Sequence, residues 1–113
     1  MSTYKVVFHL YEFKRSQIAL SYIHNLFDDL GMDQVDFELV LNGSGVKLMK
    51  KESRFKSFLN NIAKRGVTFA VCANSLDDLG IEEEELLDFA EIVSAGVSEL
   101  VKKQNQGWAY VKP

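Results

Sequence analysis

Residues 67–78 read VTFAVCANSLDD and hold the only cysteine of the chain, Cys72. The run VTFAVC is short, apolar and rich in β-branched and aromatic residues, which is typical of a buried strand. The polar stretch ANSLDD follows at once and predicts a turn. Cys72 is therefore expected at the carboxyl end of a strand, where its thiol is either a buried packing group or a reactive one.

The segments around this strand alternate between strand and helix patterns. Similar apolar runs predict four further strands, namely TYKVVFHLY, VDFELVLNG, residues 89–94 and WAYVK. Apolar residues at helical spacing predict helices over residues 18–30, 55–63 and 96–104. This alternation predicts one α/β domain over residues 1–113, a three-layer sandwich with a mainly parallel central sheet of about five strands and helices on both faces.

The region after the cysteine strand allows two interpretations. Residues 81–89 predict a short helix with four glutamates in its first turns, where the helix dipole favours negative charge. A strand and a helix from Gly96 would then follow, with Val97, Leu100 and Val101 facing inward. Alternatively, the segment AEIVSAGVSELV also fits a helical period, which would fuse residues 82–104 into one or two helices. Gly96 favours the break.

Composition and charge limit the functions that the chain can have. The formal net charge of −3 argues against a general nucleic-acid binder, because phosphate neutralisation needs a concentrated basic surface. No apolar run approaches the roughly 18 to 20 residues that span a bilayer, and the amino terminus has no signal-peptide pattern. We therefore expect a cytoplasmic protein with no nucleic-acid or membrane partner. A single cysteine excludes an intrachain disulfide and a cysteine-rich zinc site.

Polar and small residues cluster where the predicted strands end. In an open α/β sheet the functional crevice lies beyond the carboxyl ends of the strands. The sequence therefore predicts a site at this edge, with Cys72 as the candidate reactive group and His9 as a candidate for stabilising its thiolate. The candidate ligand-binding residues are Asn42, Gly43, Ser44, Gly45, Asn74, Ser75, Ser94 and Gly96.

Each candidate also has a structural interpretation. A thiol that leaves a strand toward a helix amino terminus has a lowered pKa, but cysteine also packs as a small hydrophobe. His9 is either a tuning group or a structural hydrogen-bonding group. The GSG at residues 43–45 either presents backbone N–H groups to an anion, helped by a following helix, or forms only a turn.

No cofactor or metal is expected. The GSG lacks the third glycine of a dinucleotide fingerprint and the GK[ST] ending of a P-loop. The four consecutive glutamates point in different directions around a helix and form no compact oxygen cage. A solvated helix face is the better interpretation of that run.

Several segments together resemble the DsrE/DsrF-like family of small α/β proteins. The matching segments, which occur in the family's order and cover most of the chain, are YKVVFHL, VDFELVLNGSGVKLM, VTFAVCANSL and VSAGVSELVKKQNQGWAYVKP. The most specific part is the pattern V-x-F-x-x-C-x-N-[ST]-L together with the ending G-V-x-E-L…Q-x-G-[WY]-x-Y-[IVL]-x-P. The resemblance implies a central sheet flanked by helices in a flavodoxin-like topology, assembled into trimers or hexamers. It also implies that Cys72 accepts sulfane sulfur as a persulfide and passes it to the next carrier.

Two functional hypotheses follow. The first is a sulfur carrier or sulfurtransferase-like protein that exchanges sulfur with donor and acceptor proteins through Cys72. The second is a non-catalytic homo-oligomeric module that binds a small anionic ligand or a protein partner in the same crevice, with Cys72 as a packing residue. A thiol pKa below the ordinary value of roughly 8.5 favours the first hypothesis.

Overall fold

The computed structural model of the protein describes residues 3–113. The strands of this part are β1 Tyr4–Leu10, β2 Val35–Leu41, β3 Thr68–Cys72, β4 Ala90–Val93 and β5 Ala109–Val111. The α-helices are α1 Ser16–Leu30, α2 Lys56–Lys64, α3 Ala73–Leu79 and α4 Gly96–Asn105. Short 3₁₀ segments lie at Phe13–Arg15, Met32–Gln34, Gly43–Met49 and Glu83–Glu85.

The strands of the described part form one parallel sheet in the order β4-β3-β2-β1-β5. From β1 to β4, each new strand is added to the sheet on the same side of the strand before it. Because parallel crossovers are right-handed, α1, α2 and α3 therefore lie on one face of the sheet. The return from β4 to β5 runs the other way and carries α4 across the opposite face. The predicted α/β sandwich with helices on both faces is confirmed. The strand order differs from the 2-1-3-4-5 order of flavodoxin, because here β2, β3 and β4 are all added on one side of β1.

The larger core lies between the sheet and the helices α1 and α2. It joins Phe8, Phe37 and Phe69 of three neighbouring strands to Ile23 and Leu59 of the helices. Full burial of each such side chain contributes about 1.5–3 kcal/mol. Since a one-residue slip would turn these side chains to the other face, the core also fixes the strand register.

The opposite face of the sheet is covered by α4 and carries a buried acid. Glu38 is 3% exposed, and its Oε1 has no hydrogen-bond partner among the described residues. Burial, followed by the neighbouring carboxyl group of Glu99, raises the pKa of Glu38 to about 8, although Lys103 Nζ lies 3.8 Å from Oε2 and acts in the opposite direction. Glu38 is therefore mostly protonated at neutral pH, which reduces the cost of placing an acid under α4.

The helix α4 buries a narrower stripe than the sequence predicts. Leu100 is buried, but Val97 and Val101, which were expected to face inward, are 63% and 53% exposed. The contacts of the helix with this face join Leu100 to small side chains such as Val40 and Ala70. The prediction for the two valines is wrong, and they form an exposed apolar surface on α4.

The polar stretch after Cys72 is the helix α3 and not the predicted turn. Asparagine, serine and aspartate favour turns and helix starts alike, because their short side chains bond to nearby backbone groups. Burial of Ser75 and Leu76 holds this short helix on the core, and it ends before Gly80. Cys72 therefore lies immediately before a helix.

Residues 81–89 do not form the predicted helix. Only Glu83–Glu85 make a 3₁₀ turn, and the backbone is extended at Leu86. Leu86 instead forms an antiparallel bridge with Lys50. The strand β4 and the helix α4 that follow are separate elements, so the predicted break at Gly96 is confirmed.

Candidate functional site

The candidate crevice lies between the ends of β3 and β4. The chain leaves β3 for α3 on one face of the sheet and leaves β4 for α4 on the other face. Such a switch point opens a gap at the carboxyl ends of the two strands, where open α/β sheets bind ligands. Cys72 is the last residue of β3 and pairs with Val93 of β4, which places the thiol at this gap.

Cys72 is a free thiol that is 5% exposed. Burial raises the pKa of the thiol, but hydrogen bonds from the Ser75 hydroxyl and from the backbone N–H groups of Gly96, Ser75 and Asn74 outweigh it, so the pKa lies below its usual value. Donors directed at a sulfur atom favour the thiolate over the thiol. Cys72 is thus a buried cysteine whose hydrogen-bond donors favour the thiolate.

Ser75 connects the cysteine to the turn that follows β2. Its Oγ accepts a hydrogen bond from the backbone N–H of Gly43, with a nitrogen–oxygen distance of 2.8 Å. A hydroxyl group accepts through oxygen and keeps one proton to donate. The Ser75 proton is therefore available to the sulfur of Cys72, and the turn and α3 act together on one atom.

Gly96 begins α4 beside the cysteine. A Cβ atom on Gly96 would lie 3.2 Å from Cβ of Asn42, 3.4 Å from Cβ of Cys72 and 3.5 Å from Cγ1 of Val40. The missing side chain lets the start of the helix approach closely enough for its N–H to donate to the sulfur. Asn42 and Cys72 are thus neighbours around Gly96.

His9 is also near the carboxyl end of its strand, β1, but its side-chain hydrogen bonds go to residues other than Cys72. Its Nε2 is 2.8 Å from Oδ1 of Asn42, and its Nδ1 is 2.7 Å from the hydroxyl oxygen of Tyr110. Burial lowers the pKa of His9 and, with the positive charge of Lys112, outweighs the hydrogen bond to Asn42. His9 is therefore neutral at neutral pH, and any effect that it has on the Cys72 thiol passes through Asn42.

The remaining predicted residues occupy different positions. Ser44 Oγ accepts a hydrogen bond from the Phe13 N–H at 2.9 Å and so ties the turn to the chain after β1. Gly45 is buried within the turn. Asn74 has an exposed side chain and contributes its backbone N–H to the sulfur, whereas Ser94 is exposed and has no described contact with it.

The GSG turn lacks the α-helix that was expected to follow it directly. Residues Gly43–Met49 form a 3₁₀ segment, and α2 begins only at Lys56. An anion at this turn would therefore not face the amino terminus of an α-helix. Within residues 3–113, no group of three or more metal-binding side chains occurs, and no helix is long and apolar enough to cross a membrane.

Tyr110 was missing from the residues predicted for the site. Tyr110 lies in the predicted last strand, WAYVK, and nothing in that segment alone indicates a role in the site. The parallel pairing of β5 with β1 places Tyr110 opposite Val7, from where its hydroxyl reaches His9. The sequence pattern predicts the strand but does not say which strand it pairs with.

The fold and the crevice define a class of protein, a small parallel α/β domain with a hydrogen-bonded thiol at the switch point of the sheet. The sequence profile of the DsrE/DsrF-like family matches residues 7–113. The protein therefore belongs to the DsrE/DsrF-like family, which is associated with sulfur relay.

Solved structures share this fold. A protein of unknown function from Methanobacterium thermoautotrophicum, MTH1491, is 34% identical with a TM-score of 0.90, and the match covers 97% of this chain and 99% of that one. The ychN protein from E. coli is 17% identical with a TM-score of 0.77 over 100% of both chains. BT1422 of Bacteroides thetaiotaomicron, a conserved protein of unknown function, is 13% identical with a TM-score of 0.62 over 96% of this chain and 94% of that one. The last two similarities concern the fold alone. No functionally curated protein matches the sequence.

Proposed function

We propose that this protein is a sulfur carrier that accepts sulfane sulfur as a persulfide on Cys72. The observation that carries the proposal is the position of Cys72 between β3 and α3, where the Ser75 hydroxyl and three backbone N–H groups donate to its sulfur and lower its pKa. Thiolate is the form that attacks sulfur, so these donors increase the reactive fraction at neutral pH. Family membership supports the same conclusion.

The transfer needs no redox partner. The Cys72 thiolate attacks the outer sulfur of a donor persulfide, R–S–SH, and the bond between the two donor sulfurs breaks. The products are Cys72–S–SH and the donor thiolate R–S⁻, with the proton retained on the outer sulfur. An acceptor thiolate then repeats the exchange and regenerates Cys72. One cysteine per chain is sufficient, because the other thiols belong to the donor and acceptor proteins.

The test is to load the protein with a sulfane donor and measure its intact mass. The native protein gains about 32 Da for each sulfur bound, and Cys72→Ser gains none. If inorganic polysulfide and small-molecule persulfides all fail to load the native protein, the carrier function is wrong.

The second candidate is a non-catalytic module in which Cys72 only packs. The small exposure of Cys72, 5%, is the observation that favours it. The two candidates differ in the thiol pKa, which is obtained from the pH dependence of alkylation. A pKa clearly below 8.5 supports the carrier, whereas slow alkylation at every pH supports the packing role.

We further infer that the chain assembles into a homo-oligomer, a trimer or hexamer, in a reducing cytoplasm. The exposed Val97 and Val101 support this inference, since they lie one helical turn apart on the outer side of α4. Subunit contacts would remove this apolar surface from water.

A further inference from the structure

The two hydrogen bonds of His9 define which ring nitrogen carries the proton. Nε2 lies 2.8 Å from Oδ1 of Asn42, and an amide oxygen accepts hydrogen bonds but does not donate them. Nε2 therefore holds the proton and donates it to Asn42. A neutral imidazole has a single N–H, so the bare Nδ1 accepts a hydrogen bond from the Tyr110 hydroxyl at 2.7 Å.

The charge states of the His9 and Tyr110 rings agree with these donor and acceptor assignments. Burial is the main reason why the pKa of His9 is lowered, which makes the ring neutral at pH 7. Burial also raises the pKa of Tyr110, which keeps its phenol protonated and able to donate. The hydrogen bonds thus run in one sense, from Tyr110 to His9 to Asn42.

This arrangement leaves the nitrogen end of the Asn42 amide for the crevice. His9 occupies Oδ1, while Nδ2 has two N–H donors and no protein partner within residues 3–113. The Cβ atoms of Asn42 and Cys72 are both in contact distance of a Cβ position on Gly96, at 3.2 and 3.4 Å. The side chains of Asn42 and Cys72 therefore leave the backbone next to each other, and Sγ of Cys72 is already held by Ser75 and backbone N–H groups.

We propose that Tyr110 and His9 are positioning residues that orient the Asn42 amide so that Nδ2 donates a hydrogen bond to the outer sulfur of a Cys72 persulfide. This inference rests on the proposed function and names the group that binds the transferred atom. A sulfur–sulfur bond is about 2.05 Å long, so the outer sulfur lies one bond beyond Sγ and needs a donor of its own. An N–H donor at that position stabilises the anionic form of the outer sulfur.

The anionic form matters for the lifetime of the carried sulfur. A small-molecule thiolate attacks the outer sulfur of the neutral persulfide and not that of the deprotonated persulfide, because the negative charge of the deprotonated persulfide repels the thiolate. A hydrogen-bond donor that lowers the persulfide pKa therefore protects the bound sulfur. The protection lasts until an acceptor protein displaces this N–H group from the outer sulfur.

The first test compares the lifetimes of loaded variants. Cys72 is loaded with inorganic polysulfide, and loss of the outer sulfur to excess small thiol at pH 7 is followed by intact mass. We expect Asn42→Ala to shorten the lifetime about tenfold or more, as for the loss of one hydrogen bond to a charged group. Tyr110→Phe, which removes only the hydroxyl, gives a smaller loss in the same direction. The control Tyr22→Phe changes an exposed tyrosine of α1 and leaves the lifetime unchanged.

If Tyr110 is a positioning residue, its substitution should have no additional effect in a protein that already lacks the Asn42 amide. Because Tyr110 acts only through Asn42, Tyr110→Phe combined with Asn42→Ala shortens the lifetime no more than Asn42→Ala alone. Additive losses would overturn the chain of action from Tyr110 to Asn42. Lifetimes of both single variants equal to that of the native protein would overturn the role of Asn42.

The second test needs no persulfide and so separates this inference from the proposed function. Nitrogen-15 NMR of the unmodified protein reports the His9 tautomer, with His24→Gln assigning the second histidine. We expect the proton on Nε2 in the native protein and a larger Nδ1–H fraction in Tyr110→Phe. A native protein with the proton on Nδ1 contradicts the orientation of Asn42. Failure of the native protein to load at all overturns the proposed function and the cargo role of Asn42 together.

Discussion

The backbone N–H of Gly43 donates to Oγ of Ser75 at 2.8 Å and so joins the turn after β2 to the first helical turn after the cysteine. The two residues are 32 positions apart in the chain, so the bond holds together two segments at the carboxyl edge of the sheet. Its chemical consequence lies at Cys72, because a serine that already accepts from Gly43 directs its own proton to the sulfur.

Replacement of Ser75 by alanine tests this relationship. The Cys72 pKa rises, because a donor to the thiolate is lost, and alkylation at pH 7 slows about fivefold. The N–H of Gly43 also loses its partner, which lowers the free energy of unfolding by about 1 kcal/mol. Alkylation kinetics and urea denaturation measure the two effects. Ser94→Ala, at an exposed site, is the control, and equal alkylation profiles for the two variants would contradict the assignment.

Gly45 is a test of how tightly the turn packs on β1. A Cβ atom there would lie 2.2 Å from the backbone oxygen of Leu10, which no side-chain rearrangement can relieve. We expect Gly45→Ala to lower the free energy of unfolding by about 3 kcal/mol. The matched control is Gly107→Ala, where φ is 89° but no atom lies within 4 Å, so that only backbone strain of about 1 kcal/mol is added. Thermal or chemical denaturation that ranks Gly107→Ala as the more damaging change would refute this description of the turn.

Glu38 makes the stability depend on pH. Its folded-state pKa, about 8, lies above the ordinary value of 4.5, chiefly because it is buried. The folded chain therefore binds more protons than the unfolded chain between these two values, and stability is fully present below pH 4.5 and is lost as pH rises toward 8. Glu38→Gln keeps the shape, removes the titration, and should raise the free energy of unfolding at pH 8 by up to about 4 kcal/mol.

Denaturant titrations at pH 5 and pH 8 measure this effect. The native protein should lose stability over the interval by more than Glu38→Gln does, while Glu83→Gln, at an exposed glutamate, should follow the native curve. Parallel curves for native protein and Glu38→Gln would mean that Glu38 is charged in the fold.

The main elements of the fold follow from local patterns in the sequence. The apolar runs of β1, β2 and β3 are long enough, and their β-branched content high enough, to be recognised without a partner. The helix α1 has the same property, because its apolar residues keep one face over 15 residues. The short helix α3 was missed since seven residues with one asparagine, one serine and two aspartates do not distinguish a helix from a turn.

The candidate site was predictable only where it depends on strand ends. Cys72, Asn42 and Gly96 come together because each follows or ends a neighbouring strand, which the crevice rule anticipates. The partner of His9 could not be foreseen, because Tyr110 reaches it only through the pairing of β5 with β1. The burial of Glu38 could not be predicted from the sequence of β2 either, since one acidic residue in an apolar run does not indicate that a helix covers its side chain.

The exposed valines of α4 provide the test of assembly. Val97 and Val101 are 63% and 53% exposed, and burying such side chains between subunits contributes about 1.5–3 kcal/mol each. We expect the native protein to sediment as a trimer or hexamer and the double variant Val97→Glu/Val101→Glu to sediment as a monomer, because assembly would bury unpaired charges. Lys102→Glu places the same charge on an exposed neighbouring position of the helix and should change the assembly much less. A native protein that is monomeric at micromolar concentration, or a double variant that assembles like the native one, would rule out this surface as the subunit contact.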